Sequence, residues 1–174
     1  MAEKSEIRNP KSEIVIVALG SNLGDSRRII LEAMTQLQNF SDWPILKSSL
    51  WQTLPVDCPP GSPMFMNAVV GLRPRKDETP DSLLEKLQSL EREFGRQTKK
   101  VPNEPRPLDL DLIAFGAEIR NTPELVLPHP RAHLRRFVLQ PLSEIAPDLV
   151  LLGQGRTVAQ LLAELPYREI VKRL

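Results

Sequence analysis

The sequence predicts an α+β fold, an antiparallel sheet with two helices packed on one face. Three observations carry this. Short apolar runs rich in Val, Ile and Leu are interleaved with two amphipathic helical segments. Their order is strand, helix, strand, strand, helix, strand. A further C-terminal part then follows.

The first strand is "EIVIVALG", Glu13 to Gly20, a β-rich run ending in glycine. "SNLGD" turns the chain. Ile29, Ile30, Ala33, Met34 and Leu37 then fall at helical spacing to about Asn39, with Asp25 or Ser26 to cap the start. "ILKSSLWQT" (Ile45 to Thr53) and "MFMNAVVGLR" (Met64 to Arg73) read as strands. The stretch between them, "LPVDCPPGSP", is too long and too rigid for a tight hairpin, so it is a loop fit to carry function. A second helix opens near Thr79, Pro80 and Asp81 and ends at Gly95. Leu83, Leu84, Leu87, Leu90 and Phe94 form its stripe, from which Glu91 and Glu93 escape. "LDLDLIAF" is the last strand of the repeat-free core pattern. "AEI" and "LVL" suggest a small hairpin near Asn121, "RAHLRRFVLQPLSEI" a short helix and turn, and "TVAQLLAEL" a terminal helix capped by Thr157. The order β-α-β-β-α-β is the ferredoxin-like split β-α-β sandwich, here with a C-terminal extension. Residues 1–12 are expected to be a flexible lead-in, and 13–174 one domain.

Composition narrows the function. The 174 residues carry 41% hydrophobic and 26% charged side chains, as in soluble globular proteins. No apolar run approaches a membrane span and the N-terminus has no signal-peptide pattern, so a cytoplasmic setting is expected. A net charge of +1 gives no general basis for nucleic-acid binding. One cysteine, Cys58, and two histidines, His129 and His133, do not make an ordinary zinc site. A metal would be held by carboxylates, and so would be a hard ion.

Asp109 and Asp111 answer to that description. Residues two apart on a strand share a face, roughly 7 Å apart along the chain. Leu108, Leu110 and Leu112 take the opposite face, toward the core. A solvated strand face would show the same alternation. Here, however, the neighbours are cations: Arg96, Lys99, Lys100 and Arg106. Two like carboxylates raise one another's pKa unless a cation lies between them. A carboxylate pair beside arginines is a site for Mg²⁺ and polyphosphate, because phosphoryl transfer needs metal bridging and positive charge more than covalent chemistry. "GSNLGD" lacks the GK[ST] ending of a P-loop and reads as a turn. Asn67, inside an apolar strand, requires a hydrogen-bond partner.

Four stretches together resemble the 6-hydroxymethyl-7,8-dihydropterin pyrophosphokinases: "VALGSNLGD", "FMNAVV", "EPRPLDLDLIAF" and "LPHPRAHLRRFVLQPLSEIAPDL". They occur in the family's order and span Ile14 to Leu165. The resemblance implies transfer of the β,γ-pyrophosphate of ATP to the pterin hydroxymethyl group, with AMP leaving. It implies that Asp109 and Asp111 hold two Mg²⁺ ions and that Arg96 and Arg106 serve the phosphates. Glu91, Lys99, Leu112, His129 and Arg135 fall on the ATP side. Thr53, Pro55, Val56, Phe65, Asn67 and Phe137 fall on the pterin side, where a flat ring wants an aromatic face and amide partners at its edge. The implied partners are these two small molecules, with no nucleic acid, membrane or obligate protein partner.

One loop departs from the family. Thr98 and Pro102 stand where arginines are usual, Asn103 where a tryptophan is, and Glu104 where a glycine is. The expected result is a weaker lid and slower catalysis, with Glu104 able to draw Arg106 from phosphate and Lys99 and Lys100 replacing lost charge as flexible point charges. The alternative reading is a weakened or non-enzymatic relative that still binds nucleotide or pterin.

Overall fold

Val15, Val17 and Leu19 face one way along the first strand, and Ile16, Ala18 and Gly20 the other. Both faces of this strand, β1 (Val15–Ser21), are buried, so it is central. The computed structural model describes residues 13–98, 100–166 and 171–174; the lead-in 1–12 and Lys99 lie outside the described residues.

Antiparallel neighbours flank β1: β4 (Phe65–Leu72) on one side and β5 (Asp109–Phe115) on the other. Beyond β4 come two short strands, β2 (Leu46–Lys47) and β3 (Trp51–Thr53). A C-terminal strand, β8 (Val171–Arg173), extends the sheet past β3. The main order is β5-β1-β4-β3-β8, which leaves β5 at an edge. The hairpin expected near Asn121 is present as β6 (Arg120–Asn121) and β7 (Val126–Leu127).

Two helices cover the first face. α1 (Ser26–Leu37) starts where the Asp25 carboxylate accepts from Arg28 N–H, and buries Ile30, Ala33, Met34 and Leu37. α2 (Pro80–Glu93) is held at its start by a reciprocal Thr79–Ser82 cap, with Pro80 in the first turn. Its Leu83, Leu87 and Leu90 pack with Val15, Val17, Leu19, Leu108, Leu110 and Leu112. Gly95, at φ 92°, ends the segment in a conformation that favours glycine.

The C-terminal part is more than an appendage. α3 (Arg136–Ile145) and α4 (Val158–Glu164) pack Val138, Leu139, Leu142, Val158 and Leu161 on the second face, against Ile16, Ala18, Val69 and Ile113. Those sheet residues are apolar and need cover. The sheet is therefore covered on both faces, not one. Further along the same face, at Gly20, Asn67 and Asp109, a cleft opens instead.

Two local expectations change. The strand read over Ile45 to Thr53 is broken at Ser48–Leu50. Ser48 N–H donates to Val69 O, but Val69 N–H donates to the Ser48 hydroxyl, so a side chain takes the place of a ladder carbonyl. The strand β8 was not anticipated. It is held by pairing with β3, by Leu174 N–H donating to Leu50 O at 2.9 Å, and by Glu144 of α3, which accepts from Ser49 and the Trp51 indole and pairs with Arg173. Among the described residues no helix is long and apolar enough to cross a membrane.

Candidate active site

Register builds the floor of the cleft. Gly20 lies opposite Asn67 on β4 and opposite Asp109 on β5. Ala18 lies opposite Val69 and Asp111. Directly paired residues share a face, so Asn67–Gly20–Asp109 form one row and Val69–Ala18–Asp111 the next. Small residues in the middle strand leave open floor between an amide and two carboxylates. A register shift between β1 and β5 falls just past Asp111, at Ile16/Val17. The cleft has a volume of about 520 Å³.

Asp109 is neutralised by arginine. Its Oδ1 accepts from Arg96 Nη1 at 2.5 Å, and its Oδ2 is 3.8 Å from Arg106 Nη1. Arg96 Nη1 also donates to Glu91 Oε1 at 2.6 Å, and that oxygen accepts Leu110 N–H at 2.7 Å. Glu91 thus reaches over the edge of the sheet from α2 and closes a donor that an edge strand leaves open. Burial raises the Glu91 pKa. Burial works to lower that of Arg96, but the carboxylates of Asp109 and Glu91 outweigh it and raise it. Arg106 is fixed by its backbone N–H donating to Asn22 Oδ1, and its guanidinium lies 5.6 Å from the Phe65 ring centre. Its buried Nε has no hydrogen-bond partner among the described residues.

Asp111 is in a different state. Among the described residues no hydrogen bond or ion pair reaches its carboxylate. Burial, then the charge of Asp109, pushes it up to about 7. Arg135 and Arg106 offset that rise only in part, and a half-buried carboxylate with no directly bonded cation is a place for one to bind. Two carboxylates do not cage an ion, and no group of three or more His, Cys, Asp or Glu suited to a metal occurs among the described residues. That donor set fits Mg²⁺, which takes one or two carboxylates and completes its shell with phosphate and water.

The far wall comes from the turn before α3. His129 N–H donates to Ile113 O at 2.8 Å on the β5 edge. Its Nδ1 accepts Arg131 N–H at 3.2 Å. Burial, then Arg135 and Arg131, lowers its pKa to about 4. The ring is therefore neutral at pH 7, with its proton on Nε2, a donor. Burial, followed by Arg131, lowers the pKa of Arg135, whose guanidinium lies 5.3 Å from the Phe137 ring centre.

Of the residues read from sequence, twelve line this cleft: Thr53, Val56, Phe65, Asn67, Glu91, Arg96, Arg106, Asp109, Asp111, His129, Arg135 and Phe137. Pro55 does not line it; its neighbours Leu54 and Val56 do. The Leu112 side chain is turned away into the α1/α2 core, 4% exposed, as the strand alternation requires, so it offers the cleft no side chain. Lys99 lies outside the described residues. Asn67 has its required partner: Nδ2 donates to Thr53 Oγ1 at 2.5 Å.

Sequence reasoning missed Gln88, Arg131 and Leu134, which also line the cleft, and took Leu84 for core alone. Leu84, Gln88 and Glu91 are spaced to share one helix face, and a polar pair along an apolar stripe was the available signal. The altered loop also differs from expectation. Glu104 accepts Lys100 N–H at 3.1 Å, and Arg106 pairs with Asp109 instead. Asn103, at φ 55°, donates to Asp57 O at 2.8 Å and ties this loop to the one after β3.

Residues 16–147 match the model of the family described as 7,8-dihydro-6-hydroxymethylpterin-pyrophosphokinase. The chain belongs to this family. A 2-amino-4-hydroxy-6-hydroxymethyldihydropteridine pyrophosphokinase of Pseudomonas aeruginosa is 38% identical over 157 residues, 90% of this chain and 94% of that protein. The Bacillus subtilis protein of the same name is 38% identical over 139 residues, 79% of this chain and 81% of that one. The Pneumocystis carinii folic acid synthesis protein fol1 is 38% identical over 149 residues, but this chain spans 20% of its length. Among solved structures, wild-type Plasmodium falciparum HPPK-DHPS with pteroate aligns with TM-score 0.67 at 14% identity. That alignment covers 86% of this chain and 42% of the other, and shows the shared fold.

Proposed function

We propose that this pyrophosphokinase moves the β,γ-pyrophosphoryl group of ATP to the hydroxyl of 6-hydroxymethyl-7,8-dihydropterin, in folate synthesis, using Mg²⁺ bound by Asp109 and Asp111. The observation that carries this is that two carboxylates and four arginines, Arg96, Arg106, Arg131 and Arg135, line one cleft. When bound, two Mg²⁺ ions would supply charge neutralisation for the triphosphate and acidify the hydroxymethyl group.

The chain's own residues do the rest. Arg96 and Arg106, whose guanidinium groups lie 2.5 and 3.8 Å from the Asp109 carboxylate, are placed to donate to phosphate oxygens. Arg135 and the Nε2–H of His129 donate to the triphosphate from the opposite wall. The pterin lies between Phe65 and Phe137, with its edge read by Asn67. From Asn67 to Asp109 is two strand spacings, about 9.6 Å. A fused bicyclic ring with a one-carbon arm bridges that span, so the ring edge and the reacting hydroxyl reach their partners together. A cytoplasmic setting, where ATP and Mg²⁺ are abundant, suits this chemistry.

The test is a product assay with protein, Mg²⁺, ATP and the dihydropterin. AMP and the pterin diphosphate are expected. ADP would mean single phosphoryl transfer and overturn the reading, as would the absence of both nucleotides.

A further inference from the structure

We propose that Gly20 is a positioning residue: its missing side chain fixes the amide of Asn67 for the ring edge and so sets the cleft's selectivity for the pterin. The inference rests on the pterin reading above.

Asn67 is held from two sides. Its Nδ2 donates to Thr53 Oγ1 at 2.5 Å, a distance with no slack left in it. Its Oδ1 lies over Gly20, where a Cβ would stand 3.0 Å from it and 3.6 Å from the Phe65 ring. Gly20 has an ordinary negative-φ strand conformation, so backbone freedom does not explain the glycine. Space does. An alanine there would have to push Oδ1 aside by a few tenths of an ångström. Thr53 blocks a shift toward itself, so the amide must rotate out of line.

The consequence is selective. Asn67 is buried, 6% exposed, and the bond Oδ1 makes to a ring edge is therefore desolvated. Misaligning it weakens pterin binding. On the nucleotide wall, Arg106, Arg96, Glu91 and His129 are anchored away from Gly20, by Asn22, Glu91, Leu110 and Ile113 respectively.

A natural control lies on the next strand. A Cβ at Gly71 would also meet a neighbour at 3.0 Å, but that neighbour is Ile14 Cδ1, and Gly71 does not line the cleft. Gly20→Ala and Gly71→Ala therefore bring equal crowding to one sheet with different functional reach.

The experiment measures binding of 6-hydroxymethylpterin by its fluorescence, together with KM for both substrates, in wild type, G20A and G71A. G20A is expected to weaken pterin binding about tenfold or more, the worth of one buried hydrogen bond, with the ATP KM within about twofold. G71A is expected to leave both constants near wild type. Unchanged pterin binding in G20A, an equal loss for ATP, or the same loss in G71A overturns the proposal. If G20A does not fold, Thr53→Val releases the other end of the clamp; pterin binding that survives it unchanged also overturns the proposal. Wild type that binds the pterin but forms no AMP counts against the reaction, not against Gly20.

Discussion

Asp111→Asn should yield an inactive protein that is more stable than its parent. The Asp111 carboxyl is pushed up from 3.8 to about 7, by burial first and by Asp109 second. Its folded pKa is thus raised above its unfolded value. The stability this group contributes is full below pH 3.8 and lost as pH rises through about 7. The gap between those two values corresponds to about 4 kcal/mol at pH 8. An asparagine carries no such penalty. A gain of about 2–4 kcal/mol is the expected size of the effect. In a chain of this size that raises Tm by about 5–10 °C. At pH 4.5 the advantage should shrink to about a quarter, since most of the penalty is not yet imposed. The assay is thermal unfolding of wild type and D111N in EDTA at the two pH values, beside a pyrophosphoryl-transfer assay with Mg²⁺. A Tm difference equal at both pH values, or a variant less stable than wild type at pH 8, would refute the assignment of strain to this carboxylate.

Other outcomes follow from the same geometry. Mg²⁺ binding should release protons near pH 6.5 and weaken below it, because the ion displaces the Asp111 proton; calorimetry in two buffers of different ionisation heat checks this, and a heat independent of buffer contradicts it. Arg106→Ala should lower kcat by about 10²–10³-fold, as loss of a charged donor at a developing charge does, with Arg106→Lys recovering only part. Steady-state kinetics decide, and a pure KM effect for ATP would argue against a transition-state role. Asn103→Gly keeps the positive φ but removes the bond to Asp57; a rise of about fivefold in pterin KM is expected, with little change in Tm, the worth of one exposed hydrogen bond.

What the sequence made legible was what simple periodicity encodes. Asp109 and Asp111 on one face and Leu108, Leu110 and Leu112 on the other follow from a period of two, and the structure has them so. The α2 stripe follows from helical spacing, and Glu91, an outlier of that stripe, turned out to bridge Arg96 and the β5 edge. Substitution of a hydroxyl for a carbonyl at Ser48 has no periodic signature, so the break before β3 was invisible. The pairing of β8 with β3 is a contact between residues more than a hundred apart, with only three paired positions to announce it. Leu112 and Pro55 came from resemblance alone, and for Leu112 the strand alternation already argued against a side-chain contact. Asn103 was read for the aromatic face it lacks, whereas in the fold it uses its amide and its tolerance of positive φ.

The charges lining the cleft carry one more consequence. Among the described residues four are cationic, Arg96, Arg106, Arg131 and Arg135, and four are acidic, Asp57, Glu91, Asp109 and Asp111, while His129 is neutral at pH 7. With all eight ionised, their charges sum to zero. Bare ATP would leave the cleft with an excess of about four negative charges in a partly buried space, which is costly. ATP accompanied by two divalent ions adds no net charge at all. On the proposed reading the cleft would count ions as well as mould a ring: a triphosphate would cost it least when two metals arrive with it.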